Sequence, residues 1–171
     1  MKLSWISALS VALMLTAAAC NSDKKSDTTT TEAISAIAYD QTVDLTKEFG
    51  QNIKVKAPQG FKSTFSDGII PEAIVEGSKY YVQIIAQDLF AQNIEGLKTE
   101  ALGEVKAITE FSSIVHEDSN GFVYETTWGD KKAYNFRYFH VAGPYAYDFR
   151  TSTVHDFSKD EVMAMYNAVK Q

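Results

Sequence analysis

Between Phe111 and Thr153 the chain alternates aromatic and polar residues in four runs, Phe111–Glu117, Phe122–Thr127, Lys132–His140 and Tyr145–Thr153. The connections are Ser119-Asn120-Gly121, Gly129-Asp130-Lys131 and Ala142-Gly143. A parallel pair needs a crossover of about a dozen residues or more, so these runs can only form an antiparallel meander. Side chains alternate across a strand, and parity therefore sorts the faces. Phe122, Tyr124 and Trp128 share a face of their run, as do Tyr134, Phe136 and Tyr138, and again Tyr145, Tyr147 and Phe149. A two-residue turn at Ala142-Gly143 sets Tyr138 opposite Tyr147 and Phe136 opposite Phe149. The aromatic faces are predicted to coincide in one large apolar side, which a helix must cover.

On the opposite face the same register sets Arg137 opposite Asp148 and Asn135 opposite Arg150. A three-residue turn at Gly129-Asp130-Lys131 brings Glu125 opposite Asn135, and a hairpin turn at Asn120-Gly121 brings His116 opposite Glu125. His116, Glu125, Asn135, Arg137, Asp148 and Arg150 are thus predicted to form one polar patch. Such a patch is either a binding surface with a titratable histidine beside a carboxylate or a solvated face laced by cross-strand ion pairs.

The remaining elements follow from shorter signals. Ile53 and Val55 alternate with Lys54 and Lys56 in a half-buried strand that Pro58-Gln59-Gly60 ends. Ile69–Glu76 and Tyr80–Gln87 flank Gly77-Ser78 as a hairpin. Ile94, Leu97, Ala101, Leu102, Val105 and Ile108 recur at helical spacing, though Gly96 and Gly103 weaken that helix. Ser158 and Glu161 form a capping box, Phe157 and Val162 a hydrophobic staple, and Met165, Tyr166 and Val169 extend the buried stripe of a last helix.

Ahead of these elements, residues 1–19 read as a secretory leader. Lys2 precedes an apolar run from Trp5 to Leu15, which is too short to span a bilayer. Ala17-Ala18-Ala19-Cys20 resembles the lipobox of bacterial lipoproteins, in which the cysteine thiol is acylated and becomes the mature N-terminus. That resemblance implies anchoring to a membrane through Cys20, and Asn21 in the next position implies the outer membrane. Residues 20–42 form the anchor and a Ser-, Asp-, Lys- and Thr-rich tether, in which Asp27-Thr28-Thr29 is similar to an O-glycosylation site of exported bacterial proteins. Residues 43–171 form a single globular domain.

The chain of 171 residues is 45% hydrophobic and carries a net charge of −6, a balance that argues against nucleic-acid binding. His116, His140 and His155 lack ligand-like spacing, and no catalytic elbow, phosphate loop or dinucleotide fingerprint occurs. His155-Asp156 is a fragment of a hydrolytic pair only if a nucleophile shares its cleft, and Ser158 is better used as a helix cap. No cofactor is expected.

Pro58-Gln59-Gly60-Phe61, Ile94-Glu95-Gly96-Leu97 and the stretch from Ala142-Gly143-Pro144 through Tyr145 to Phe149 resemble the PsbP-like family. The resemblance implies an α+β domain, an α/β/α sandwich around a mainly antiparallel sheet. It also implies a non-catalytic accessory role, binding a protein partner in the cell envelope. The alternative is a carrier that holds a small apolar ligand between the aromatic sheet face and a helix. The anchor is tested by Cys20→Ala, which is expected to release the protein from membranes into the soluble fraction; full retention would refute acylation there.

Overall fold

The computed structural model describes residues 39–89, 92–153 and 155–170. Residues 1–38, which hold the segment read as a leader, Cys20, Thr28 and most of the segment read as a tether, lie outside the described residues. Among the described residues, two sheets and three helices form the domain. β1 (Gln41–Asp44) and β2 (Lys54–Ala57) pair antiparallel around α1 (Thr46–Phe49), setting Val43 opposite Val55. The alternation expected at Ile53–Lys56 holds, with Ile53, Val55 and Ala57 buried and Lys54 and Lys56 exposed. The first strand begins inside the segment read as tether, and Tyr39 ahead of it packs edge-on against Tyr80 with ring centroids 5.1 Å apart.

The main sheet has seven strands: β3 (Lys62–Ser66), β4 (Glu72–Gly77), β5 (Tyr80–Asp88), β6 (Phe111–Glu117), β7 (Gly121–Trp128), β8 (Lys131–Ala142) and β9 (Tyr145–Arg150). Their spatial order is β3-β4-β5-β9-β8-β7-β6, every pairing is antiparallel, and the last strand in sequence lies at the centre. The β4–β5 hairpin and the meander β6–β9 are the elements the alternation predicts. β3 is not: all five of its residues are exposed, so no apolar face marked it.

Pro71 delays β4 until Glu72, and Ile69 and Ile70 ahead of it lie in solvent. The β4–β5 turn is Ser78-Lys79 rather than Gly77-Ser78, with Lys79 left-handed at φ 52°. Gly77 pairs with Tyr80 in the ladder, and a Cβ there would lie 3.0 Å from the Pro58 ring.

α2 (Ile94–Lys106) starts where Asn93 accepts a hydrogen bond from the Gly96 N–H at 2.8 Å, which offsets the glycine in its first turn. It covers one sheet face, where Leu97, Ala101 and Val105 pack with Phe122, Tyr124, Phe139 and Ala146. α3 (Lys159–Ala168) covers the other. Its capping box closes as expected, the Ser158 N–H donating to Glu161 at 2.8 Å and the Glu161 N–H to Ser158 at 3.3 Å. A ten-residue helix is marginal alone. Full burial of Val162, Met165 and Val169 against Phe136, Tyr138 and Phe149 adds about 1.5–3 kcal/mol per side chain. The layers are helix, sheet, helix.

The β8–β9 and β7–β8 turns also depart from expectation, with different consequences. Gly143-Pro144 joins β8 to β9, so Tyr138 faces Phe149 and Arg137 faces Arg150. That is a two-residue shift, which preserves parity. Gly129-Asp130 joins β7 to β8 in two residues instead of three, with Gly129 at φ 59°. That one-residue shift turns β7 over. Phe122 and Tyr124 therefore lie under α2, while Tyr134, Phe136 and Tyr138 lie on the face of α3 with Tyr145, Tyr147 and Phe149, so the aromatic faces of β8 and β9 coincide as expected and that of β7 does not.

Among the described glycines, the tightest surroundings are those of Gly121. A Cβ there would overlap the Arg137 carbonyl oxygen and fall 2.8 Å from Tyr138 Cα and 2.9 Å from the Tyr166 hydroxyl. Backbone atoms on a central strand cannot yield as a side-chain tip does. Gly121→Ala is expected to destabilise the domain by about 1–3 kcal/mol, read as a lower urea midpoint at unchanged slope; an unaltered midpoint would refute the close approach.

Candidate functional site

The predicted polar patch is divided between the two faces. Arg137, Asp148 and Arg150 do meet, on the α2 side. Asp148 is 2% exposed, and Arg137 grips it with Nε at 2.9 Å from Oδ1 and Nη2 at 2.7 Å from Oδ2. Arg150 adds Nη2 at 2.9 Å, and Glu104 of α2 reaches Arg137 Nη1 at 3.3 Å. Burial works against the Arg137 charge, but Asp148 and Glu104 outweigh it and raise its pKa. Asn135 is buried nearby and is spent on structure: its side-chain carbonyl accepts from the Thr151 hydroxyl at 3.0 Å, and Thr151 in turn accepts from the Phe136 N–H.

Glu125 and His116 are elsewhere. The short β7–β8 turn sets Glu125 opposite Tyr134 instead of Asn135, on the face of α3. There it accepts from the Tyr134 hydroxyl at 2.8 Å and the Ser112 hydroxyl at 3.0 Å and pairs with Lys132 at 3.1 Å. The Tyr134 hydrogen bond and then Lys132 lower its pKa. His116 faces Val123 rather than Glu125, because the β6–β7 turn is Ser119-Asn120, closed by the Asp118 N–H donating to the Gly121 carbonyl at 3.0 Å, and not Asn120-Gly121. It packs edge-on against Tyr166 at 5.4 Å, with Nε2 3.7 Å from Asp118.

Asp118 is the centre of that second cluster, which sequence reasoning missed. Its Oδ1 accepts from the Tyr166 hydroxyl at 2.7 Å and from the Asn120 and Gly121 N–H groups, and its Oδ2 pairs with Lys170 at 3.1 Å. These bonds tie the β6–β7 turn to α3. The spacing Asp118–Gly121 signals an Asx-type turn, but nothing local connects it to Tyr166.

The other two histidines lie apart from these groups. His155 stacks on Tyr81 and on Phe157, and Asp156 beside it is exposed. His140 lies on β8, and burial lowers its pKa. Among the described residues, no group of three or more His, Cys, Asp and Glu is placed to hold a metal ion. No described helix is long and apolar enough to cross a membrane.

An open cleft of about 230 Å³ lies beside the Arg137 cluster. Leu97, Glu100, Ala101 and Glu104, at positions i, i+3, i+4 and i+7, line it from one face of α2. Arg137 and Phe139 line it from β8, and Gln87 and Asp88 from the end of β5. The helical periodicity marked Leu97 and Ala101 as core, but gave no sign that Glu104 on the same helix reaches Arg137.

No family model, curated protein or solved structure matches this chain.

Burial pulls the Asp118 carboxyl upward, but the bonds from Tyr166, Asn120 and Lys170 prevail and hold it down at about 2 against an ordinary 3.8. A depressed carboxylate stabilises the fold fully above its unfolded pKa and loses that contribution as pH falls through the folded one. Asp118→Asn is therefore expected to be less stable than wild type near neutrality, with the gap closing as pH falls from 3.8 toward about 2. A gap that stays constant in urea titrations across that range would refute the assignment.

Proposed function

We propose that this protein is a lipid-anchored lipoprotein of the cell envelope, held in the outer membrane through Cys20, whose PsbP-like sandwich domain is a non-catalytic protein-binding module. The leader and lipobox-like sequence support the anchor, and the order of strands and helices supports the family reading. The observation that carries the binding role is the sealing of the aromatic face: Val162, Met165, Tyr166 and Val169 are fully buried and pack with Phe136, Tyr138 and Phe149. A carrier of apolar ligands needs an apolar cavity of about 300 Å³ or more. With that face committed to packing, recognition falls to surface features, and the open cleft beneath α2 is one of them.

Affinity capture of the tagged protein from detergent-solubilised envelopes, with mass spectrometry reading proteins and small molecules together, tests this role. A stoichiometric protein partner is the expected result. A co-purifying apolar molecule without any protein would overturn the reading and favour the carrier.

A further inference from the structure

Among the large apolar side chains that stand exposed in the described residues, two are consecutive: Ile69 and Ile70, in the loop between β3 and β4. Ile69 is fully exposed and Ile70 is 60% exposed, and neither joins a core cluster. Apolar residues scattered singly over a surface need no explanation, but a bared pair at the tip of a loop does. The loop is held to the sheet by backbone instead, the Pro71 carbonyl accepting from the Ala86 N–H at 3.0 Å.

Shape narrows what can cover this tip. Ile69 protrudes without neighbours, so a protein partner would have to supply the whole of a pocket around it. Fluid acyl chains close around a protruding side chain with no such preparation. The backbone sets the depth. Entering an apolar medium is costly where N–H and C=O groups go unpaired. Pro71 has no N–H to desolvate, and its carbonyl is already engaged. Ser66 and Asp67 behind the tip are polar and exposed, which suits the boundary between headgroups and acyl chains rather than the hydrocarbon interior.

The length of chain ahead of the described residues brings a bilayer within range, on the anchoring reading above. Residues 20–38 separate Cys20 from Tyr39. At no more than about 3.6 Å per residue, they reach up to roughly 65 Å. Tyr39 packs against Tyr80, which pairs with Gly77 at the end of β4 farther from the loop. The six residues of β4 span roughly 20 Å. An anchored chain is therefore long enough to lay the tip on the membrane.

Resting on that anchoring reading, we propose that Ile69 and Ile70 insert into the surface of the bilayer that holds Cys20. The domain thereby gains a second, non-covalent membrane contact that fixes its orientation. The lipid surface it fits is zwitterionic, because Asp67 adjoins the tip and the chain's net charge of −6 opposes an anionic one.

The test uses the full acylated chain in isolated envelopes, with p-benzoylphenylalanine in place of Ile69 and, separately, of Trp128. Trp128 is also exposed but lies at the opposite end of the sheet, and so serves as the control. On ultraviolet illumination, position 69 is expected to give a phospholipid adduct, read as added mass, severalfold above position 128. With the probe moved to Ile70, Ile69→Asp is expected to cut the adduct severalfold at unchanged melting temperature, because a carboxylate is costly among acyl chains. In phosphatidylcholine vesicles the adduct is expected to persist, and to fall as phosphatidylglycerol is added; a rise would overturn the choice of lipid. Equal adducts at the two positions, adducts to a second copy or another polypeptide in place of lipid, or no effect of Ile69→Asp would overturn the contact. The intact mass of the chain reports acylation separately. Acyl mass without a lipid adduct at position 69 leaves the anchor standing and sinks this contact, whereas absence of acyl mass sinks both.

Discussion

Strand β8 has no solvent side along its middle, and the rest of the domain is arranged around that constraint. Phe136 and Tyr138 project toward α3, while Arg137 and Phe139 project toward α2. Because the side-chain period of a strand is 2, a slip of one residue would drive a guanidinium into one core and a phenol into the other. Neither helix could then dock. Arg137 can remain only because Asp148 and Glu104 are waiting on its own side of the sheet.

That arrangement divides the polar chemistry beneath α2 by depth. Asp148, at 2% exposure, is a charge that would be costly to leave unpaired, and two arginines hold it. Glu104, at 60%, reaches the same guanidinium from the solvent side. Fixed structure thus grades into accessible surface within a single network. The inner pair gives α2 a rigid footing, and the outer carboxylates are left adjustable.

Much of this was legible in the residues. The capping box at Ser158 and Glu161, the helix from Ile94 and the antiparallel meander are local patterns whose physics does not depend on the remainder of the chain. The Arg137–Asp148 contact also survived an error in the β8–β9 turn, because a displacement of two residues returns every side chain to the same face. The β7–β8 turn allowed no such latitude: choosing Gly129-Asp130-Lys131 over Gly129-Asp130 scattered Glu125 and His116 from the patch. Nothing nearby distinguishes those two turns. What decides is the three-dimensional demand that Phe122 and Tyr124 lie under α2. β3 was invisible for a simpler reason, since an edge strand of exposed residues carries no buried face to read.

The central place of β9 carries a cost in time. Its neighbours are β5 and β8, and the first of these ladders joins Ile84 to Phe149 across more than a third of the chain's 171 residues. As the polypeptide leaves the ribosome, β3–β5 and β6–β8 emerge as two half-sheets, each with a long apolar edge that has no mate. They cannot be joined until the last strand arrives and slides between them, and α3 follows only after that. Loop closure of this span is slow, and open edges are where chains stick to one another. The newborn domain is therefore exposed to aggregation until β9 is made, and a chain cut short before Tyr145 is not a smaller domain but two unjoined fragments.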